Sequence, residues 1–345
     1  MQETPIFLKA CRREPVSVTP VWFMRQAGRY MKSYREIRKK TPFLELCKTP
    51  ELAAEAAVSA AERLGVDAAI LFSDILLLPE AMGMQLEFPD KAGPVFHNPI
   101  READDLKRLR EPRVEESMAF VYEAVEQTRH ALPARTPLIG FAGAPFTLAA
   151  YMLEGKYSRS FGQAKSFMYR DPGAWHALME RLCAALAPYL CLQVKAGAQA
   201  LQLFDSWAGH LGPSDYKEFV LPHVKKLVAA LPEKIPVIYF GVGTGPFLHL
   251  MKDCGAQVIG VDHHVEIGPA WKVIGDSAVQ GNLDPCVLLS SREYLQKRAK
   301  EILEQVGKRS GHIFNLGHGI MPQTPEENAV ALVDFVHEIS EKLRQ

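Results

Sequence analysis

Arg25 and Arg29 bracket the pentapeptide Arg25-Gln26-Ala27-Gly28-Arg29, which follows directly on the apolar run Val21-Trp22-Phe23-Met24. A guanidinium is permanently charged and presents a planar fork that grips carboxylate or phosphate through paired hydrogen bonds. Two of them on a sharp turn at the end of a strand suit a ligand carrying several acid groups. The alternative is a solvated basic turn, because Lys32, Arg35, Arg38, Lys39 and Lys40 follow closely. Asp74 stands between Ile70-Leu71-Phe72 and Ile75-Leu76-Leu77-Leu78. A carboxylate in so apolar a run is costly unless donors or a cationic ligand meet it. It is therefore either a ligand-facing group or a structural one, a helix cap or an ion-pair partner of Arg25 or Arg29. His318 lies between Gly317 and Gly319, where the backbone can approach a ligand closely or form a capped turn.

These residues need elements to position them. Short apolar runs suggest strands at Val21 to Met24, Ala68 to Ser73, Pro137 to Phe141, Ala200 to Phe204, Pro236 to Phe240, Val258 to Val261, Ala278 to Gly281 and Ile313 to Leu316. Between them, helical patterns cover Pro50 to Leu64, Pro172 to Lys195, Ser214 to Ala230, Ser291 to Val306 and Thr324 to Leu343. Several open on a cap or a first-turn proline, as at Thr49-Pro50 and Asp171-Pro172. Strands alternating with helices imply parallel βα units, and about eight of them imply closure into a (β/α)8 TIM barrel. A doubly wound open sheet is the competing α/β arrangement. Gly83 to Ile100 departs from the alternation and reads as a small hairpin insertion after the second strand, turning at Pro89-Asp90-Lys91-Ala92-Gly93-Pro94. There is no repeat, low-complexity segment or linker, so residues 1–345 read as a single barrel domain.

Barrel enzymes keep their active sites at the C-terminal ends of the strands, and here those ends are polar or glycine-rich. They supply Arg25 and Arg29, Asp74, Gly143 to Thr147, Asp205-Ser206-Trp207, Asp262-His263-His264, Asn282 and Asp284, and His318. Gly241-Val242-Gly243-Thr244-Gly245, with Asp262 further on, imitates a dinucleotide fingerprint, but Pro246 stands where that motif wants Gly or Ala, which favours a tight barrel loop. His263, His264, His318 and Cys254 lack the spacing of a zinc site, and no metal is expected.

Composition restricts the rest. Hydrophobic residues make up 48% and charged residues 23%, as in an ordinary globular protein. With 40 basic and 40 acidic residues the formal net charge is zero, so no overall field favours nucleic acid or an anionic membrane. The six cysteines, at 11, 47, 183, 191, 254 and 286, are scattered without Cys-x-x-Cys pairs, which suits buried thiols in the cytoplasm. No signal-like segment opens the chain, and no uninterrupted apolar run reaches the roughly 18 residues of a membrane span.

Six ordered segments together resemble the uroporphyrinogen decarboxylase family of heme biosynthesis. They are Pro20-Val21-Trp22-Phe23-Met24-Arg25-Gln26-Ala27-Gly28-Arg29-Tyr30, Phe72-Ser73-Asp74-Ile75-Leu76, Gly140-Phe141-Ala142-Gly143-Ala144-Pro145-Phe146-Thr147-Leu148, Ala150-Tyr151-Met152-Leu153-Glu154-Gly155, Phe204-Asp205-Ser206-Trp207-Ala208-Gly209 and Asn315-Leu316-Gly317-His318-Gly319-Ile320. The resemblance spans essentially the whole chain. It implies a homodimeric barrel carboxy-lyase that needs no cofactor and converts the four acetate side chains of uroporphyrinogen III to methyls, giving coproporphyrinogen III and four CO2. It also implies that Arg25, Asp74, Tyr151 and His318 act in catalysis, and that Arg25, Gln26, Ala27, Gly28, Arg29, Asp74, Tyr151, Ser206 and His318 bind substrate. A barrel-fold cobamide or thiol methyltransferase and a non-catalytic tetrapyrrole carrier are the alternatives.

Overall fold

A computed structural model describes residues 3–89 and 93–345. Its strands are β1 (Ala69–Ile70), β2 (Leu86–Glu87), β3 (Val95–Phe96), β4 (Leu138–Gly143), β5 (Ala200–Asp205), β6 (Val237–Gly241), β7 (Val258–Gly260), β8 (Ala278–Gln280) and β9 (His312–Ile313). β1 and β4 to β9 form one parallel sheet in the order β1-β4-β5-β6-β7-β8-β9, so each strand pairs with the next one along the chain.

The eighth place belongs to Pro20–Trp22. Val21 bridges Phe314 in parallel, the Phe314 N–H donates to the Pro20 carbonyl at 2.8 Å, and the Trp22 N–H donates to the Phe314 carbonyl at 3.3 Å. On the other side the Asp67 N–H donates to the Val21 carbonyl at 2.8 Å, and the Val21 N–H donates to the Asp67 carboxylate at 2.7 Å. This short segment closes the ring between β9 and β1, which makes the sheet a barrel and rules out the open doubly wound form. The first expected strand, Val21 to Met24, thus shrinks to a bridge. The chain turns away at once, the Gln26 N–H donating back to the Phe23 carbonyl at 3.1 Å.

Helices cover the outside. Pro50–Leu64 and Pro172–Lys195 have their expected bounds, while Ser291 caps Arg292–Val306 by accepting from the Tyr294 N–H. The last helix is Glu326–Arg344. The expected Ser214 to Ala230 helix is instead Pro213–Asp215, a π turn at Tyr216–Val220 and then Leu221–Ala229. Pro222 has no N–H for a regular helical bond, and the wider turn accommodates it. A further helix, Pro145–Glu154, occupies what reads from sequence as a strand-end loop. Among the described residues, Pro172–Lys195 is the helix long and apolar enough to cross a membrane, although no uninterrupted apolar run betrays it. Its Trp175, Leu178, Leu182, Leu186 and Leu190 are buried at helical spacing, the pattern of a core helix.

In the Gly83 to Ile100 segment, β2 and β3 pair antiparallel, Leu86 opposite Phe96 and Glu87 opposite Val95. The Phe96 N–H donates to the Gly155 carbonyl at 2.6 Å, which ties this pair to the end of Pro145–Glu154. Asp90, Lys91 and Ala92, expected in the turn, lie outside the described residues, as do Met1 and Gln2. The lumen is filled: Trp22 Nε1–H donates to Gln280 Oε1 at 2.9 Å, and Gln280 Nε2–H donates to Gln202 Oε1 at 3.1 Å, all three side chains buried.

The closing carboxylate of Asp67 also takes a hydrogen bond from His337 Nε2 of the last helix at 2.7 Å. Burial works against the imidazolium, but the bond and the charge of Asp67 outweigh it and hold the His337 pKa above its usual 6.5. A group whose pKa is raised by folding stabilises fully below its unfolded pKa and loses that stabilisation as pH rises through the folded one. Urea unfolding should therefore show about 1 kcal/mol of stability, present at pH below about 6.5, lost as pH rises through the raised His337 pKa, and a His337→Gln variant should not lose it. Parallel pH dependence in the two proteins would refute this.

Candidate active site

Arg25 stands on the turn that follows the closing bridge, with a φ of 60°, in the left-handed region. That conformation costs a non-glycine residue about 1–2 kcal/mol and persists where surrounding structure enforces it. Gln26 does the enforcing. It is fully buried, its Oε1 accepts the Phe23 N–H at 3.3 Å, its Nε2 reaches the Ala68 carbonyl at 3.5 Å, and its own carbonyl accepts the Tyr30 hydroxyl at 2.6 Å. The Gln26 side chain is therefore an internal brace of the turn. Arg25 and Arg29 are exposed, and among the described residues neither guanidinium has an acceptor. The Ala27 and Gly28 amides likewise donate to no acceptor among the described residues. By contrast Arg35 is spent on the Arg29 and Tyr30 carbonyls, and Lys39 on Glu36. Some cations of the basic stretch thus hold the local structure, whereas Arg25 and Arg29 stand at the barrel mouth without a protein acceptor among the described residues.

Arg25 lies against the last strand's loop. A Cβ on Gly319 would fall 2.6 Å from Arg25 Cδ and 3.0 Å from its Nε, so the guanidinium stem occupies the space a side chain would need. The neighbouring His318 is half-buried, and its Nδ1 accepts the Gly319 N–H at 2.8 Å. That bond assigns the ring proton to Nε2. Burial, then the charge of Arg25, push the His318 pKa below its usual value, so at neutral pH the ring is an uncharged donor.

Asp74 enters because β1 leaves the sheet after Ile70. β4 continues without that neighbour, and the side chain of Gln193 takes over both main-chain groups of Phe141, at 2.9 and 3.0 Å. Asp74 Oδ1 accepts the Leu76 N–H at 2.9 Å, a turn just ahead of the helix Leu77–Ala81, whose N-cap is Leu76 and which has no side-chain cap, so Asp74 is not that helix's cap. Among the described residues it forms no ion pair with Arg25 or Arg29. Burial raises its pKa to about 6, with the Leu76 bond and the charge of Arg25 pulling the other way. Tyr151, on Pro145–Glu154, has its hydroxyl pushed up to about 12 by burial and then by the charge of Asp74. Its ring meets Trp207 edge-on at 5.8 Å. Trp207 follows Ser206, which is half-buried just past the end of β5. Arg25, Asp74, Tyr151 and His318, from four different loops and helices, thus act on one another's charge, with Ser206 beside them.

Other strand-end residues hold the rim. Asp262 accepts the Gly243 N–H and the His264 Nδ1–H, each at 2.6 Å, so the carboxylate that imitates a ribose ligand in sequence instead ties down the Gly241 to Gly245 loop. Asn282 donates to the Asp262 and Val265 carbonyls, and Asp284 caps Cys286. Sequence reasoning missed Gly319 as the seat of Arg25 and Thr147 as a partner of Asp205. For Gly319 the signal was the Gly-His-Gly spacing. Among the described residues no group of three or more His, Cys, Asp and Glu side chains is placed to hold a metal.

Residues 2–339 match a family model described as uroporphyrinogen decarboxylase (URO-D). The chain is 52% identical over 335 residues to a uroporphyrinogen decarboxylase of Sorangium cellulosum, covering 96% of each. It is 51% identical over 336 residues to one of Carboxydothermus hydrogenoformans, covering 97% of this chain and 96% of that one. A solved methyltransferase from Methanosarcina mazei superposes with a TM-score of 0.76 at 25% identity, over 98% of this chain and 99% of that one.

The strained Arg25 yields a paired expectation. Arg25→Gly removes the left-handed strain together with the guanidinium, whereas Arg25→Ala keeps the strain, so the glycine variant should be more stable by about 1 kcal/mol in urea unfolding. Gly319→Ala should weaken calorimetric binding of a polycarboxylate ligand about tenfold while moving the unfolding midpoint little. Equal stabilities of the two Arg25 variants would show that the turn is not strained.

Proposed function

This chain belongs to the uroporphyrinogen decarboxylase family and is a carboxy-lyase acting on uroporphyrinogen; we propose that the residues gathered at the barrel mouth perform the reaction as follows. The observation that carries the reading is the pairing of Arg25 and Arg29, cations without protein partners, with Asp74, a carboxylate kept without a counter-ion. Eight carboxylates on the substrate answer the first, and four pyrrole N–H groups answer the second.

Protonating a pyrrole carbon next to nitrogen makes an iminium. The bond to the acetate carboxylate then breaks, its electron pair flows into the ring and CO2 leaves. Protonation of the resulting exocyclic methylene gives the methyl, and loss of the ring proton restores the pyrrole, so each turn consumes one proton net. Asp74 in its ionised form accepts the pyrrole N–H bonds and stabilises the cation that develops. Arg25 and Arg29, with the amides of Ala27 and Gly28, hold substrate carboxylates. Tyr151 with its raised pKa remains a hydroxyl, His318 offers Nε2–H, and Ser206 adds a third neutral donor. A guanidinium is a poor acid near neutrality, so Arg25 positions the substrate and delivers no proton itself.

Uroporphyrinogen III is the substrate and coproporphyrinogen III the product in this reading, with residues 1–345 acting as one catalytic barrel in a cytoplasmic homodimer. All six cysteines being free thiols supports a reducing compartment. The greater identity to decarboxylases supports this chemistry over methyl transfer.

Anaerobic incubation with uroporphyrinogen III, then oxidation and separation of products by carboxylate number, tests it. The expected run is from eight carboxylates to four, lost in Asp74→Asn by orders of magnitude and largely kept in Arg25→Lys. Binding with an unchanged carboxylate count would overturn the reading in favour of a carrier. Because Asp74 acts ionised, kcat/KM should fall as pH drops through about 6. Its folded pKa is above the unfolded value, so ionising it in place costs stability. At about pH 8 Asp74→Asn should be more resistant to urea than the parent, by about 1–2 kcal/mol. A destabilised Asp74→Asn would mark the carboxylate as structural.

A further inference from the structure

Asp205 is fully buried at the end of β5, and nothing in the reaction described above uses it. The preceding Phe204 meets Phe141 and Phe240 in the lumen, at 5.6 and 6.2 Å between ring centroids. Side chains alternate along a strand, so Asp205 points the other way, into the layer between barrel and helices. There its Oδ1 accepts the Thr147 hydroxyl at 2.7 Å and its Oδ2 accepts the Tyr239 hydroxyl at 2.6 Å. The Tyr216 hydroxyl, in the π turn, donates to the Tyr239 oxygen at 3.2 Å. Thr147 completes the circuit, because its Oγ1 accepts the Trp207 N–H at 3.2 Å.

We propose that Asp205, Thr147 and Tyr239 are positioning residues which set Tyr151 and Ser206 in register with each other across the substrate, an inference that rests on the function proposed above. Thr147 and Tyr151 lie four residues apart on Pro145–Glu154, hence one turn apart on the same face. Ser206 lies between Asp205, which holds Thr147, and Trp207, which Thr147 holds. One carboxylate thus locks the helix that carries Tyr151 to the strand end that carries Ser206. Tyr239 locks the same carboxylate to β6, and Tyr216 extends the anchorage to the helix layer. A buried charge is an expensive way to join two elements, since an apolar contact of similar volume is often at least as stable. What it adds over an apolar contact is direction: two short hydrogen bonds fix an angle as well as a distance. The substrate must present four acetates in turn to the same two side chains, and a misplacement of about 1 Å costs about 100-fold in rate.

Thr147→Val removes both bonds of the hydroxyl while keeping the shape, and Thr147→Ser keeps both. The expected outcome for Thr147→Val is a kcat lower by about 10- to 100-fold, with KM within about twofold because Arg25 and Arg29 are untouched. Products with seven, six and five carboxylates should accumulate, and Thr147→Ser should restore the parent's rate and product profile. Lower stability with unchanged kcat and product profile would overturn the proposal by reducing the network to structural glue. Should Thr147→Val fail to fold, Tyr239→Phe carries the same comparison, since it deletes one donor to Asp205. If the parent itself leaves uroporphyrinogen unchanged, the functional reading fails separately. The network is then judged by a crystal structure of the Thr147→Val protein, in which Tyr151 and Trp207 at their parental positions would overturn it.

Discussion

Barrel closure depends on the main chain of three residues, Pro20 to Trp22. Pro20 and Trp22 bond Phe314 on one side, Val21 bonds Asp67 on the other, and without those bonds β9 and β1 would be two open edges. The same bridge places Arg25 four residues later beside the loop that carries His318, although the two are nearly the whole chain apart. Every charge interaction at the mouth that involves Arg25 follows from that meeting. A strand longer than one bridge would carry the arginine beyond the rim, and the early turn braced by Gln26 is what keeps it over the opening.

The mouth is electrostatically unfinished. Elsewhere several charged groups are matched, as with Arg63 and Glu326 or Lys48 and Glu80. At the site, two guanidiniums face solvent, a carboxylate has lost much of its hydration, and an arginine occupies backbone space that suits glycine. The desolvated carboxylate and the strained arginine are unfavourable to the empty protein, and in the function proposed above the carboxylate's cost is offset when a polyanion with inward-pointing N–H groups arrives. The offsetting stability lies in a close-packed exterior, where helices such as Pro172–Lys195 bury large apolar side chains against the barrel.

How much of this was legible beforehand depended on how local the governing physics is. Pro50–Leu64 has a proline in its first turn and Gly65 in the left-handed conformation after its last, so both ends are written into neighbouring residues. Pro145–Glu154 is buried on nearly every face and shows no amphipathic period, which is why it passed for a loop. The π turn at Tyr216–Val220 comes from one proline acting in a tertiary setting. Arg25, Asp74 and His318 could be picked out because cations and carboxylates are conspicuous in apolar or glycine-rich surroundings. Gln26 is polar yet works as a buried brace, and only the positions of Phe23 and Ala68 reveal it. Asp205 finds its partners 58 and 34 residues away, a separation no spacing rule anticipates.

The chain of side chains from Trp22 through Gln280 to Gln202 has a consequence for traffic. It stoppers the barrel with groups bonded to one another, so the lumen is a cup and not a tube. In the function proposed above, the macrocycle, puckered at its tetrahedral methylene bridges, seats on that cup and covers the rim through which it came. Each molecule of CO2 released beneath it must escape past the substrate's own edge, and each incoming proton must arrive by the same gap. The looseness of that seal, set by the residues around the rim, therefore governs exchange with the solvent as directly as the residues in the centre govern the bond that breaks.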